Sequence, residues 1–360
     1  MTLSRTYAAL RWKLERSFFS PPLHLKFSSF ALFLFLFLFA VARGQAPQVL
    51  QTSAELVKVD VSVADKHGDF VESLTQSDFR ILDNGVERPI TFFTPVDAPA
   101  QVLVLIETGP AVYLIHGDHL AAAYALLDGL EPRDQVALAA YDNAPRRILP
   151  FTSNKSLLLA ALGGIQYNIG MGELNFYGSL AKILDWLDPV PGKRAIVLLT
   201  TGLDSSQPSH WDALVEKARR DDVVIFPVAL GGSLRSTAPV KGKGKKAQPN
   251  GPNSDTHAVT SGNPVSFARA DHDLRALASI TGGRAYFPDS RQDFVAIYRQ
   301  IAAMLRHQYV LGFAPAHDGQ LHSLSVELVS SKALGRATKS RNKGAEYQIF
   351  SRSGYLAPAP

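Results

Sequence analysis

The sequence predicts an α/β fold for the middle of the chain, a doubly wound, mostly parallel sheet with helices on both faces. A small antiparallel β domain built from both chain ends is expected to frame it. Three observations lead there. Between residues 101 and 306, apolar strand-like segments alternate with segments of helical period, the pattern of a parallel sheet wound between helices. VLVLIETGP (102–110) is a run of apolar β-formers that ends in a carboxylate and a Gly-Pro loop. That is the shape of a buried parallel strand reaching its C-terminal edge, where open sheets bind their ligands. Before residue 100 and after 306 only short strands and turns are read.

The elements follow in order. Residues 1–42 read as a secretory signal: a basic lead, the 13-residue apolar run FALFLFLFLFAVA (30–42), and Ala40-Val41-Ala42 as a small-x-small cleavage pattern. The run is short for a membrane span, which takes about 20 apolar residues, so an uncleaved N-terminal anchor is the alternative. Residues 47–100 form the first part of the β domain. In ELVKVDVSVA (55–64) the valines 57, 59, 61 and 63 alternate, which gives a half-buried strand. Thr75 to Asp78 predicts one capped helical turn. Asp83-Asn84-Gly85 predicts a hairpin, because Asn-Gly supplies positive φ.

Residues 101–306 form the α/β domain. Strands are expected at 102–107, 134–142, 146–151, 193–202 and 223–230, with 134–151 as a hairpin and RAYF (284–287) as a short edge strand. Helices are expected at 117–130, 154–165, 175–187, 210–222, 271–283 and 291–307, the fifth capped by Asp271 and stopped by Gly282-Gly283. In the first helix Leu120, Tyr124, Leu127 and Leu130 share the core spacing. Residues 231–265 are rich in Gly, Pro, Ser, Asn and Lys with no apolar pattern; they read as a disordered insertion. Residues 307–358 supply the second part of the β domain, with strands at 308–315, 322–329 and 345–352 and a basic loop at 332–344.

Composition narrows the function. The chain has 360 residues, 46% hydrophobic and 19% charged, and no cysteine. Disulfides, thiolate metal sites and Cys nucleophiles are excluded. The net charge of +5 owes four charges to residues 1–42, so the remainder is nearly neutral and nucleic acid is not an expected partner. His116, Asp118 and His119 lack an evident third zinc ligand, and Asp271-His272-Asp273 reads as a helix-capping cluster. There is no G-x-S-x-G elbow, and LGGIQYNIGMG (162–172) lacks the Gly-Lys-Ser/Thr of a phosphate loop. No catalytic set assembles, so an enzyme is not expected.

Several motifs in order carry a resemblance over about residues 55–358: VADKHGDFVESLTQSDF (63–79), the acidic strand end at Glu107, GMGELNFYGSL (170–180), AIVLLTTGLDSS (195–206), TGGRAYF (281–287), QYVLGF (308–313) and SGYLAP (353–358). The chain resembles von Willebrand factor type A domain proteins, in particular the VWFA-related family abundant in acidobacteria. The resemblance implies a von Willebrand A-like, Rossmann-like sheet. It also implies a divalent-ion site at the sheet edge, built from a D-x-S-x-S loop, a Thr and the Asp of a T-D-G loop. At those positions this chain has Glu107, Gly109 and Ala111, then Leu174, then Thr201. The site is expected to be degenerate, with no cofactor. The alternative is Mg²⁺ or Ca²⁺ at a site rebuilt around Glu107 with Asp142, Glu173 or Asp204. The expected role is protein–protein interaction at the cell envelope or outside the cell, with Pro110, Tyr113, Asn175 and Asp204 on the contact surface and the membrane involved only through the signal or anchor. Alternatives are a structural or assembly subunit, or cation-dependent adhesion.

Overall fold

The structure is a computed structural model that describes residues 56–95, 98–109, 116–168, 173–205, 209–231, 267–290, 292–329 and 347–360, the side chains of 116–122 and 209 excepted. The expected signal, all but Gly231 of the expected insertion, the basic loop 332–344, and Pro110, Ala111 and Tyr113 lie outside the described residues.

The central sheet joins β5 (Ala100–Glu107), β6 (Gln135–Tyr141), β7 (Pro145–Thr152), β8 (Lys193–Thr200) and β9 (Val223–Ala229) in the order β7-β6-β5-β8-β9. All neighbours are parallel except the β6–β7 hairpin. RAYF contributes one parallel bridge, Tyr286 to Val228. One face of the sheet packs on helices α1 (His116–Gly129), α2 (Lys155–Gly163) and α6 (Asp293–Arg306), the other on α3 (Phe176–Leu187), α4 (Ser209–Arg220) and α5 (Phe267–Thr281). Strands covered on both sides have no polar face, so β8 and β9 are buried along almost their whole length.

The chain ends form two four-stranded antiparallel sheets. Their strands are β1 (Val57–Ala64), β2 (Phe79–Asp83), β3 (Val86–Arg88), β4 (Phe92–Pro95), β10 (Tyr309–Phe313), β11 (Leu321–Leu328), β12 (Gln348–Ser351) and β13 (Gly354–Leu356). The orders are β12-β1-β10-β4 and β13-β11-β2-β3. The two ends pair as expected: Val59 faces Leu311, and Ile81 faces Val326. Between the sheets lies a core of Val59, Val61, Val63, Phe79, Ile81, Tyr309, Leu311 and Phe313. The hairpin turn has Asn84 at φ 50° and Gly85 at φ 79°, and the Thr75 backbone N–H donates to Asp78 Oδ2 at 2.7 Å in the capped turn.

Four expectations need correction. The far half of β1 is buried on both faces, because Ser62 and Ala64 turn toward the α/β domain. Tyr124 is 59% exposed; Leu127 and, just past the end of α1, Leu130 are buried as expected, and Ala123 and Leu126 complete the packing face. Helix α5 begins at Phe267, so Asp271, His272 and Asp273 lie inside it rather than capping it. The helix-compatible run Phe267-Ala-Arg-Ala extends it by a turn. Finally, SGYLAP contains a strand, β13, not foreseen as one.

Hydrogen bonds tie the β sandwich to the C-terminal turns of three helices: Ser62 Oγ to the Met304 carbonyl of α6, Ser353 N to the Ser279 carbonyl of α5, and the Arg352 guanidinium to the Arg219 carbonyl of α4. Helices that return between parallel strands end beside the strand N-termini, so these ties gather at the N-terminal end of the sheet. Glu107 is at the opposite end. Gly282 explains the closeness of this joint: it sits at φ +82°, and a Cβ there would fall 2.8 Å from the Arg352 backbone nitrogen. Its neighbour Gly283 lets the exit of α5 approach β9, where a Cβ would fall 1.9 Å from the Ile225 carbonyl oxygen.

Candidate functional site at the sheet edge

Strand β5 carries Glu107 to the C-terminal edge, between Tyr141 at the end of β6 and Thr200 at the end of β8. Parallel register alone brings these three ends together. Glu107 is 1% exposed. Its Oε2 accepts from the Thr201 backbone N–H at 2.7 Å and from Thr201 Oγ1 at 2.9 Å, and lies 3.0 Å from Thr200 Oγ1 and 3.1 Å from the Tyr141 hydroxyl. Oε1 is 3.0 Å from Thr201 Oγ1. Tyr141 and Thr200 also meet each other at 2.6 Å. The hydroxyls are held in turn by backbone donors, Gly202 N to Thr200 Oγ1 and Leu203 N to Thr201 Oγ1.

Burial pushes the Glu107 carboxyl above the usual carboxylate range, while the bonds from Thr201, Thr200 and Tyr141 pull it back down. Burial also raises the Tyr141 phenol, and the Glu107 charge beside it adds to that. A Cβ on Gly109 would stand 3.4 Å from Glu107 Oε1 and 3.6 Å from a Leu174 methyl. The position where the resemblance calls for a hydroxyl is thus the aliphatic Leu174, beside Gly109.

The other sequence candidates have separate occupations. Asp142 pairs with Arg146 at 2.8 Å, which holds its carboxyl below the usual range against the effect of partial burial. Asp204 accepts from Tyr177 N at 2.8 Å and Asn175 from Gly178 N at 3.1 Å, both at the N-terminus of α3, where the first backbone N–H groups lack helical partners. Glu173 is exposed. Among the described residues, no group of three or more His, Asp and Glu side chains is placed to hold a metal ion.

Sequence reading missed Tyr141, Thr200 and Arg146. Tyr141 falls on the same strand face as Ala137 and Ala139, and that face packs on Phe176 of α3. Period two shows this much, but its contact with Glu107 requires the β5–β6 register. Arg146 was read only as the first residue of the strand 146–151. Its Nη2 reaches Thr108 Oγ1 at 3.0 Å.

No protein-family model matches the chain, and no curated protein sequence matches it. Solved structures similar to it include an aerotolerance-related membrane protein from Bacteroides fragilis, at 15% identity and TM-score 0.41, covering 57% of this chain and 98% of that one. BatB from Bacteroides thetaiotaomicron is 18% identical with TM-score 0.39, covering 57% and 99%. A von Willebrand factor type A protein from Catenulispora acidiphila is 10% identical with TM-score 0.41, covering 84% and 75%. Among the described residues, no helix is long and apolar enough to cross a membrane. On its own strand order, with one antiparallel edge strand and helices on both faces, the α/β part of this chain has a von Willebrand A-type fold.

Proposed function

We propose that this is an exported protein-binding module whose α/β sheet edge engages a protein partner without a metal ion. The observation that carries the reading is the placement of the sandwich. Its hydrogen bonds to the α/β domain reach the C-terminal turns of α4, α5 and α6, at the end of the sheet remote from Glu107. That arrangement supports partner contact at the Glu107 edge over a purely structural role in which the sandwich covers that edge. Export rests on the apolar run at 30–42 with its basic lead and Ala-x-Ala end.

The residues around Glu107 do not fit a divalent ion. Mg²⁺ asks for an octahedron of oxygen lone pairs, and Ca²⁺ for six to eight. Here a backbone N–H and three hydroxyls converge on one carboxylate. The Thr201 N–H and hydroxyl direct their protons at the carboxylate lone pairs that a cation would need. Binding rather than catalysis is the reading for the same region, since Asp142 and Asp204 are engaged with Arg146 and a helix N-terminus.

Calorimetric titration of Mg²⁺, Mn²⁺ and Ca²⁺ into the full chain tests the metal-free part. The expected result is no saturable heat at millimolar ion. Tight binding that disappears in Glu107→Ala would overturn it and make cation-dependent adhesion the leading mechanism.

A further inference from the structure

A cleft opens at the same sheet edge between the outer strand β7 and the segment that follows α2. Ile148 and Ile165 are among its walls, Tyr167 and Asn168 lie on the α2 side, and the Asp142–Arg146 pair closes one end. Arg146 is the cation there. Its Nη1 donates to Asp142 Oδ1 at 2.8 Å and its Nη2 to Thr108 Oγ1 at 3.0 Å. Thr108 Oγ1 itself donates to the Tyr141 carbonyl at 3.0 Å, so its hydroxyl proton is committed and it receives from the guanidinium. Two anchors therefore fix the plane of the guanidinium before anything binds. A guanidinium has five N–H donors, and these contacts use two of them. The Arg146 side chain remains 46% exposed.

We propose that this cleft binds a side-chain carboxylate presented by a partner protein, with Arg146 as the receiving fork. The proposal rests on the sheet-edge reading above and names the chemistry of recognition there. Planar, two-pronged donation to a carboxylate is what a guanidinium does better than an ammonium, and a fixed plane lowers the ordering cost of binding. The apolar walls suit the methylenes of a glutamate side chain. Charge selects a monoanion. Asp142 already balances Arg146, so a dianionic phosphate would bring a second charge against Asp142 with one cation between them. The outer strand is not open to strand addition as an alternative, because Pro145 and Pro150 lack N–H donors and the β6–β7 pairing has two register shifts.

The test uses a panel of paired peptides with apolar flanks, one member of each pair carrying a central Glu and the other Gln. Binding to the full chain is measured by fluorescence anisotropy, once in chelator and once in Mg²⁺. Glu members should bind about tenfold tighter than their Gln twins in chelator, the scale of a charge-assisted hydrogen bond. Arg146→Met should abolish the preference, and Arg146→Lys should retain only part of it. Asp142→Asn should enlarge it, because removing a competing carboxylate leaves more of the guanidinium for the ligand; a purely structural Arg146–Asp142 pair predicts the opposite sign. Equal binding of Glu and Gln peptides, binding of neither, or a preference that survives Arg146→Met would overturn the carboxylate site. If peptides bind in chelator without preferring Glu, the metal-free edge reading stands and only this proposal falls. A Glu preference seen only with Mg²⁺ would sink the metal-free reading itself and the Arg146 site with it.

Discussion

Replacing His322 with Leu should destabilise the β sandwich, and the loss should depend on pH. His322 lies on β11 and is 5% exposed. Its Nδ1 is 2.5 Å from Asp83 Oδ1 and its Nε2 is 2.9 Å from Asp318 Oδ2. Carboxylates at both nitrogens require both to donate, which is the imidazolium form. The bonds to Asp318 and Asp83 accordingly raise the histidine above its ordinary value, against the opposing effect of burial. Asp83 is 1% exposed, and its other oxygen takes Arg88 Nε at 3.1 Å and the Tyr355 hydroxyl at 3.3 Å. Removing one partner of a buried pair costs about 3–5 kcal/mol. Because Arg88 and Tyr355 stay, the lower end applies, about 3 kcal/mol. At roughly 2 °C per kcal/mol for a chain of this size, the midpoint should fall by about 6 °C. A histidine whose folded pKa is raised contributes its full stabilisation below its unfolded pKa of about 6.5 and loses it as pH rises through the folded value. The gap between wild type and His322→Leu, read from urea melts, should therefore be widest near pH 6 and narrow on the alkaline side. A gap under about 1 kcal/mol at pH 6, or one that is flat or widens with pH, would refute the bridged-imidazolium account.

Two further outcomes are expected. Gly283→Ala sets a Cβ against the Ile225 backbone carbonyl, where neither side can yield cheaply, and should cost about 1–3 kcal/mol or more; Gly163→Ala, with open space around its Cβ at the end of α2, should stabilise by up to about 1 kcal/mol. Thermal melts of the two variants should move in opposite directions. Lys193 is lowered to about 8 by burial, with Asp60 of β1 pulling the other way, and its Nζ donates to the Leu305 carbonyl at 2.6 Å. The folded chain then holds fewer protons than the unfolded one between pH 8 and the ordinary lysine value of about 10.4. Wild type should gain stability relative to Lys193→Met across that window, as the difference between their urea midpoints measured against pH will tell.

The architecture was largely legible because its signals are local. Val59, Val61 and Val63 alternate on one face, Asn84-Gly85 turns a hairpin, and VLVLIE stops at a carboxylate. The start of α5 was misread because Asp271 looks like a cap, while the residues before it are ordinary helix formers. The site was half legible. Glu107 could be placed at the sheet edge, and the hydroxyl lost at position 174 was visible. That Thr201 turns inward to Glu107, with Thr200 and Tyr141 beside it, could not be read, since the contacts join residues 34 to 94 positions apart. The His322–Asp83 pair spans 239 positions, and neither residue type signals burial by itself. Arg146 carried no signal in the sequence because its anchor, Thr108, lies on β5's exit rather than on its own hairpin.

The pairing of β1 with β10 and β12 also sets an order of assembly. Val57 faces Phe313, and Val61 faces Ser351, so the first strand to emerge waits for nearly the last. Bringing its β10 partner within reach means closing a loop of about 250 residues, an entropic cost of about 5 kcal/mol if that loop is a free coil. Folding of the α/β domain removes most of that cost, because β5 starts and α6 finishes at the same end of the sheet. The inserted domain thus acts as a clasp for the sandwich that surrounds it, and a chain cut short before residue 309 would leave β1 as a valine-rich strand without its sheet partners, while β2 would keep only β3.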